Sequence, residues 1–512
     1  MILSILALAL FLFILEPWVT YFLDVKSLRR FPNATYCSGV SNLAFMLQRW
    51  RGYPSKQIHA AHETHSILRI GPNTVSFSSP SAIRAIYGHS TPCVKGGSYE
   101  HNVTEHSGLI DVIDKKRHAF KRRILSNAFA TRNLEQWEFK VSDKVGRLLR
   151  QFDRIANDAA SESGHISAVD IRRWFNLFTV EAIVDIALSQ KLGFLERGDS
   201  LVPVNTSKGT EKHVDFIESL HSSRRATASI VFSDWFRPLR AVLKTVPGWF
   251  RNQWLVGEEF NTIVEHLTRQ RLEMHQAGHY LDDLTSCLLR DKSGQDRNPT
   301  TPDVEGDVAA FLDAGSDTTA IALTNLFYFL LTAPDVLSRL RQEVDANAAF
   351  DDNGVAQYSS LKHLPYLRAC IDESLRLRPP VSTGLHRLTP PEGQEIDGHW
   401  IPGKTIVVVP IYTAHRNPKF FPDPEKYLPE RWLGEGMRVA QSTFIPFSEG
   451  SRGCIGRNIT YIEQTVLLAT LVHRYDLRLL DANWQLRHEE AFLVWPGSLP
   501  LSIRRREVDS GP

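Results

Sequence analysis

The segment from Thr301 to Thr332 places the strongest constraint on what this chain can fold into. It reads as one helix: Thr301 can cap it, Pro302 suits the first turn, Asp303 and Glu305 favour the positive end of the dipole, and Pro334 lies just beyond the end. About thirty helical residues make a rod roughly 45 Å long, enough to run through a whole domain. Its middle breaks the pattern with Ala314-Gly315-Ser316-Asp317-Thr318-Thr319, set between the apolar stretches Val308 to Leu312 and Ala320 to Leu331. Glycine and threonine weaken a helix interior, and an Asp–Thr pair among apolar residues costs more. Such a breach of a local rule is commonest at functional sites. The bland alternative is a kink in which a threonine hydroxyl bonds back to the preceding turn.

A second signal is Phe447-Ser-Glu-Gly450-Ser-Arg452-Gly-Cys454-Ile-Gly456, which reads F-x-x-G-x-R-x-C-x-G. A lone cysteine is most simply an inert buried thiol; the fixed spacing of its neighbours argues otherwise. A thiolate is a soft ligand that, under a haem, pushes electron density toward dioxygen and favours O–O cleavage. Gly450 and Gly456 let the backbone curl so that N–H groups point at the sulfur of Cys454. Arg452 is a permanent cation suited to a haem propionate. Heterolytic cleavage of reduced dioxygen consumes two protons, and a hydroxyl fed by a carboxylate and water can deliver them. Thr318 is the candidate hydroxyl and Asp317 the candidate relay.

With these two stretches the chain resembles the cytochrome P450 family over nearly its whole length. The resemblance implies a mainly α fold with a smaller β-rich region (α+β), formed as a single large domain. It implies haem b with an axial thiolate from Cys454, and it lays the Asp317–Thr318 stretch over the distal haem face, with Gly315 making room for dioxygen or substrate. The helix Leu364 to Leu377, stopped by Arg378-Pro379-Pro380, carries Glu373 and Arg376 on one face. By family position Arg431 joins them in a buried lock that retains the haem. His118 stands where the family often has Trp, four residues before Arg122, and both are expected at a propionate. Arg387 is expected at another propionate, its bland alternative being a solvated strand residue. Phe447, Gly450 and Gly456 complete the cofactor set.

The loop Gly97 to Ile113, Phe311, Ala314, Val381, Thr383, Leu385 and Leu493 to Trp495 are expected around the substrate by family position. They are mainly apolar with a few hydroxyls, which suits a lipophilic small molecule. Tyr87, Gly88, Lys95 and Tyr99, with the run Arg376 to Arg387, resemble fungal members, many of which oxidise terpenoid, alkaloid or polyketide intermediates of secondary metabolism.

Segments 66–77 and 394–410 read as strands, with a hairpin at Ile396 to Gly403, and Ile455 to Tyr475 as a helix leaving the cysteine loop. In 512 residues with 43% hydrophobic content there is no linker-like stretch or repeat, and a net charge of +2 speaks against nucleic acid. Cys37, Cys93, Cys287 and Cys370 have no framework spacing and read as free thiols. Lys115, Lys116, Arg117, Lys121, Arg122 and Arg123 crowd one segment, which is either a solvated face or, by resemblance, the docking surface of an acidic flavoprotein. That partner would be NADPH–cytochrome P450 reductase, supplying NADPH-derived electrons; a role for cytochrome b5 is left open.

Met1 to Leu23 is apolar apart from Ser4, Glu16, Pro17 and Thr20, carries aromatics near its end, and is followed by Lys26, Arg29 and Arg30. A cleaved signal peptide is the rival, but a basic n-region and a small-residue cleavage site are missing. The expectation is a transmembrane anchor over 1–23, a basic and proline-containing linker leading into the body over 24–60, and a catalytic domain over 61–512. The resemblance implies a single-pass protein of the endoplasmic reticulum membrane with a cytosolic body. The expected activity is monooxygenation; a haem-thiolate isomerase or dehydratase working without a reductase would not need the Asp317–Thr318 pair, and a non-enzymatic haem sensor would need neither the pair nor the basic face.

Overall fold

The computed structural model describes residues 11, 15–43, 46, 52–101, 106–161, 168–205, 211–233 and 235–507. The helices that build the site are α1 (Lys115–Ser126), α2 (Ile171–Leu188), α3 (Phe216–Ile230), α4 (Trp249–Gln276), α5 (Thr301–Thr332), α6 (Pro365–Leu377) and α7 (Arg457–Arg474). The expected long helix is α5, 32 residues running unbroken through the body. Its cap is Thr300 rather than Thr301: the Thr300 hydroxyl accepts the Asp303 N–H at 3.4 Å, so Thr301 is already the first helical residue. At Ala333 the chain turns by 109° into the helix Pro334–Asn347, so the proline that ends α5 also starts its successor.

Helix α5 packs on α2, α4, α6 and α7, and the largest apolar cluster lies around these contacts. The closest approach explains Gly315. A Cβ there would stand 2.4 Å from Ile183 Cγ1 of α2, so Gly315 faces the neighbouring helix rather than making room for dioxygen or substrate. Burial on both sides also explains why α2 is apolar around most of its circumference.

The β-rich region centres on β1 (Ile67–Gly71), β2 (Thr74–Phe77), β3 (Val94–Lys95), β4 (Arg387–Leu388) and β5 (Ile406–Val408). They form one sheet in the order β1-β2-β5-β4-β3, antiparallel except for the β2–β5 pair. The expected hairpin is present as Gln394–Ile396 with His399–Ile401, turned through Asp397 and Gly398 at φ 53° and 74°. A second hairpin, β6 (His488–Ala491) with β7 (Leu493–Pro496), reaches onto α5.

Residues 24–60, expected as a linker, are built into the body where they are described. Leu28 and Phe31 are buried, Lys26 Nζ donates to Asn73 Oδ1 at 2.9 Å and to the Lys404 carbonyl at 2.7 Å, and Pro54–His62 is helical. Much of the expected anchor, residues 1–10 and 12–14, lies outside the described residues. Residues 15–23 are helical, with Trp18, Phe22 and Leu23 exposed. Among the described residues no single helix is long and apolar enough to cross a membrane. All five cysteines are free.

Candidate active site

The cysteine loop is held by its own backbone. Cys454 N–H donates to the Phe447 carbonyl at 2.8 Å and Gly453 N–H to the Gly450 carbonyl at 3.0 Å. Gly450 is irreplaceable on two counts: its φ is 72°, and a Cβ would lie 2.1 Å from the Tyr87 carbonyl oxygen. Gly456 differs from expectation. At φ −80° it needs no left-handed freedom, and a Cβ there would sit 4.0 Å from both Cys454 Sγ and Phe129. The backbone N–H groups of Gly456 and Arg457 do point at the sulfur. Burial pushes the Cys454 thiol up, and those N–H groups with the Arg122 and Arg457 charges pull the other way. The residue nevertheless keeps accessible surface. Phe447 packs on Tyr461 at 5.3 Å between ring centroids.

Behind the loop, Glu373, Arg376 and Arg431 come together. Arg376 makes a two-pronged pair with Glu373, Nε to Oε2 at 2.8 Å and Nη2 to Oε1 at 2.9 Å, and Arg431 Nε reaches Oε1 at 2.9 Å. Glu373 and Arg376 are fully buried. A buried carboxylate requires every lone pair satisfied, and Trp432 Nε1 at 3.0 Å and Leu428 N–H at 2.9 Å complete the set. His415 connects this lock to the cysteine loop. Its Nδ1 lies 3.1 Å from the Arg376 carbonyl, and its Nε2 accepts the Ile445 N–H at 2.9 Å, two residues before Phe447. Burial holds the imidazole well below its ordinary pKa, so it stays neutral and can accept that bond.

A crowd of cations lies beside the loop. Lys95 on β3 and Arg387 on β4 are direct register partners. Arg387 is 2% exposed, which removes the solvated-strand alternative, and its Nη2 has no hydrogen-bond partner. Burial first, then Arg387 and Arg452, lowers Lys95 to about 7. His118 falls to about 3 through burial and the charges of Arg452, Lys95, Arg122 and Arg387. Arg452 falls to about 10 through burial and Arg387. Arg452 donates to the carbonyls of Val112 at 2.5 Å and Ile113 at 2.7 Å, and Arg122 donates to the Gly453 carbonyl at 2.6 Å. The basic run is therefore split. Lys115, Lys116 and Arg123 are exposed, whereas Lys121 is buried in a 2.7 Å pair with Asp307, and His118 and Arg122 turn inward.

On α5, Asp317 is 3% exposed and clasped by three side chains from two elements. His221 Nε2 of α3 lies 2.8 Å from Oδ1, while Arg224 Nη1 of α3 and Trp495 Nε1 of β7 donate to Oδ2 at 3.0 and 3.2 Å. Burial alone would raise its pKa, but His221, Arg224 and these hydrogen bonds bring it down to about 2. Thr318 takes the back-bonded form, its hydroxyl donating to the Ala314 carbonyl at 2.7 Å. Ala314 and Thr318 share a helix face and keep partial exposure within a buried helix. Phe311, one turn earlier, packs on Phe129 at 6.2 Å. Val381 and Leu493 meet in a β-bridge and share an apolar cluster with Trp495. Thr383 is buried, and Leu385 packs toward the sheet core with its backbone held by the Tyr87 hydroxyl at 2.8 Å.

A sequence model of the cytochrome P450 family matches residues 43–501. The chain belongs to this family. It is 32% identical over 461 residues, 88% of this chain and 76% of the other, to the cytochrome P450 monooxygenase FCK2 of Fusarium pseudograminearum. It is 27% identical to the benzoate 4-monooxygenase bphA of Aspergillus niger, covering 92% of each chain. It is 29% identical to the tryprostatin B 6-hydroxylase of Neosartorya fischeri, covering 91% of this chain and 80% of the other. Among solved structures, the heme domain of cytochrome P450DA superposes with a TM-score of 0.72 at 18% identity, covering 89% of this chain and 93% of that one. At that identity the likeness concerns the fold alone. The protein is a cytochrome P450 monooxygenase.

Cytochromes P450 hold a haem through a cysteine thiolate, and the residues here fit one. An accessible sulfur with N–H groups aimed at it suits an anionic ligand. Clustered cations, with Asp111 the carboxylate beside Lys95 and with an orphaned Nη2 on buried Arg387, suit the haem's propionates. Sequence reading missed Lys95 and Tyr99 as members of this cluster. Tyr99 is half-buried beside Arg387, and burial raises its pKa. The signal lay in the chain as a lysine in an apolar, strand-like setting, but its partner Arg387 is far away in sequence. His221, Arg224 and Trp495 were missed for the same reason: nothing local marks them as partners of Asp317.

Proposed function

We propose that this cytochrome P450 inserts oxygen from dioxygen into a lipophilic small molecule, an intermediate of fungal secondary metabolism, using NADPH-derived electrons from a reductase. The observation that carries this is the Cys454 loop with its N–H groups on the sulfur and the cation cluster beside it; the Thr318 face of α5 supports it. Cys454 would hold the iron, and Lys95, Tyr99, His118, Arg122, Arg387 and Arg452 would hold the propionates. When bound, the haem supplies the dioxygen-activating chemistry.

The protein's own groups set the proton supply. The Thr318 proton is committed to the Ala314 carbonyl, so its oxygen presents lone pairs and orders a proton-carrying water rather than donating directly. Asp317 enters a relay only when Arg224 releases it. Arg224 has an alternative partner in Asp313, whose Oδ1 it already contacts at 2.6 Å. The apolar positions Phe311, Val381 and Leu493 exclude water and position substrate by shape. The relatives named for oxygenating benzoate and tryprostatin B support a small organic substrate. Lys115, Lys116 and Arg123 form the exposed part of a reductase-docking face, and residues 1–23 anchor the chain in the endoplasmic reticulum membrane with the body in the cytosol.

The test is the reduced, carbon monoxide-bound difference spectrum of the expressed chain. The thiolate-type Soret band is expected in the native protein and its loss in Cys454→Ala; a band that survives the substitution removes Cys454 as the ligand.

A further inference from the structure

Between α1 and the end of α4 lies a cleft of about 830 Å³, within the size range of a small-molecule site. No residue of the Cys454 loop lines it. Phe120, Arg123, Ile124 and Asn127 supply one wall. They fall at i, i+3, i+4 and i+7, the stripe of α1 opposite His118 and Arg122. The opposite wall comes from the end of α4 and residues 279–297, with Leu281 and Leu289 as its apolar part.

The charge of this cleft is one-sided. Arg123, Lys292 and Arg297 line it and, among the described residues, make no ion pair. Arg290 is offset by Asp296 at 3.0 Å, and that carboxylate also lies 3.6 Å from His275 Nε2. Among the described residues Asp291 is the one carboxylate in the lining, and its Oδ1 already accepts the N–H groups of Ser293 and Gln295 at 2.8 and 3.0 Å. Arg271, also in the lining, is 1% exposed. Asp283 holds its Nε at 2.7 Å and its Nη2 at 3.1 Å, while Nη1 has no hydrogen-bond partner. A buried guanidinium donor left unpaired is costly until a ligand completes it. Two exposed rings flank the cations: the Arg290 guanidinium lies 4.0 Å from the Tyr280 ring centroid, and that of Arg123 5.8 Å from Phe120. An adjoining cleft of about 620 Å³ shares Phe120 and Arg297 but carries Asp291, Asp296, Asp303 and Asp307, so an anion is favoured in the first cleft and not in the second.

We propose that the first cleft binds a phosphate ester with an aromatic body, of mononucleotide size: Arg271, Lys292 and Arg297 take the phosphate, and Tyr280 and Phe120 take the ring. A dianion with several acceptor oxygens suits three cations better than a carboxylate does, and the ring faces give the body an apolar seat. The site does not rest on the reading of Cys454 as the haem ligand.

Isothermal titration of the haem-loaded full chain with phenyl phosphate tests this. A single saturable site is expected, tighter than for inorganic phosphate or phenol titrated alone, with the haem Soret band unmoved. Lys292→Gln and Arg297→Gln, both at exposed positions, each weaken it about tenfold. Tyr280→Ala, also exposed, removes the preference for phenyl phosphate over inorganic phosphate. Adenosine monophosphate binding more tightly than phenyl phosphate assigns the ligand to nucleotides, and the reverse assigns it to simple aryl phosphates; either supports the site. Absence of saturable binding, affinity unchanged in both cation variants, or a Soret shift that reports entry into the haem cavity overturns the proposal. Equal affinity for phenyl phosphate and inorganic phosphate overturns its aromatic half.

Discussion

Lys95 and Arg387 stand directly opposite one another on adjacent antiparallel strands, two buried cations in register. Like charges in this position destabilise a sheet; Asp111 offsets part of that repulsion, and a bound anion would offset more of it. Lys95→Met is therefore expected to act in opposite directions on two forms of the protein. The haem-free form gains about 1 kcal/mol, while the haem-loaded form loses haem faster to a scavenging globin. The sign with pH follows from the lowered lysine. Between about 7 and 10.5 the unfolded chain holds a proton that the folded haem-free chain does not, so stability of the haem-free protein rises with pH across that window. Urea titrations at several pH values, with and without haem, measure both effects.

Arg224 and Asp317 form the clasp between α3 and α5. Asp317 has a folded-state value near 2 against an ordinary 3.8. Its stabilisation is thus complete above 3.8 and drains away as pH falls toward 2. Arg224→Ala leaves a buried carboxylate with His221 and Trp495 alone and is expected to cost about 3 kcal/mol. Hydrogen exchange should locate the loosening in α3 and β7; protection unchanged in both would refute the clasp.

Gly450→Ala should yield haem-poor protein. The added Cβ meets the Tyr87 carbonyl at 2.1 Å and the backbone sits at φ 72°, so either the loop or the end of the Tyr87 helix must move. Gly456→Ala, with ordinary φ and 4.0 Å of space, should retain haem. Equal haem loading of the two variants would contradict this account.

Trp432→Phe removes one donor from a fully buried carboxylate. A loss of about 1–3 kcal/mol is expected, read as a lower thermal midpoint at near-normal haem content. Arg376→Ala strips two donors from Glu373 and the anchor to the carbonyls of His415 and Pro424. It should not accumulate as folded haem protein.

Thr318→Ala should uncouple NADPH use from product and raise peroxide release about tenfold or more. Thr318→Ser, which keeps the hydroxyl, should recover most of the coupling; a Ser variant as uncoupled as Ala would show that the methyl group rather than the oxygen matters.

Much of this was legible in the chain. Helix α5, the stop after α6, the strands around β1, β2 and β5, and the cysteine loop follow from local rules: helical periodicity, proline, glycine and β-branched runs. The Glu373–Arg376 pair was legible because both partners lie on one helix turn. Gly315 was misread because its purpose, close passage of α2, depends on Ile183, far away in the sequence. Lys121 was misread because its partner Asp307 belongs to another helix.

The sequence by itself determined that the long helix α5, the stop after α6 and the hairpin at Gln394–Ile401 exist, and which cysteine carries a ligand-like setting, because those properties depend on neighbours within a few residues. Tertiary structure alone decided that Asp317 is held by α3 and β7, that Lys95 faces Arg387, and that His415 ties the lock to the cysteine loop. Each of these depends on burial and on a charge or hydrogen bond between segments distant in the chain. The desolvation that gives such contacts their strength exists only once the whole core has closed.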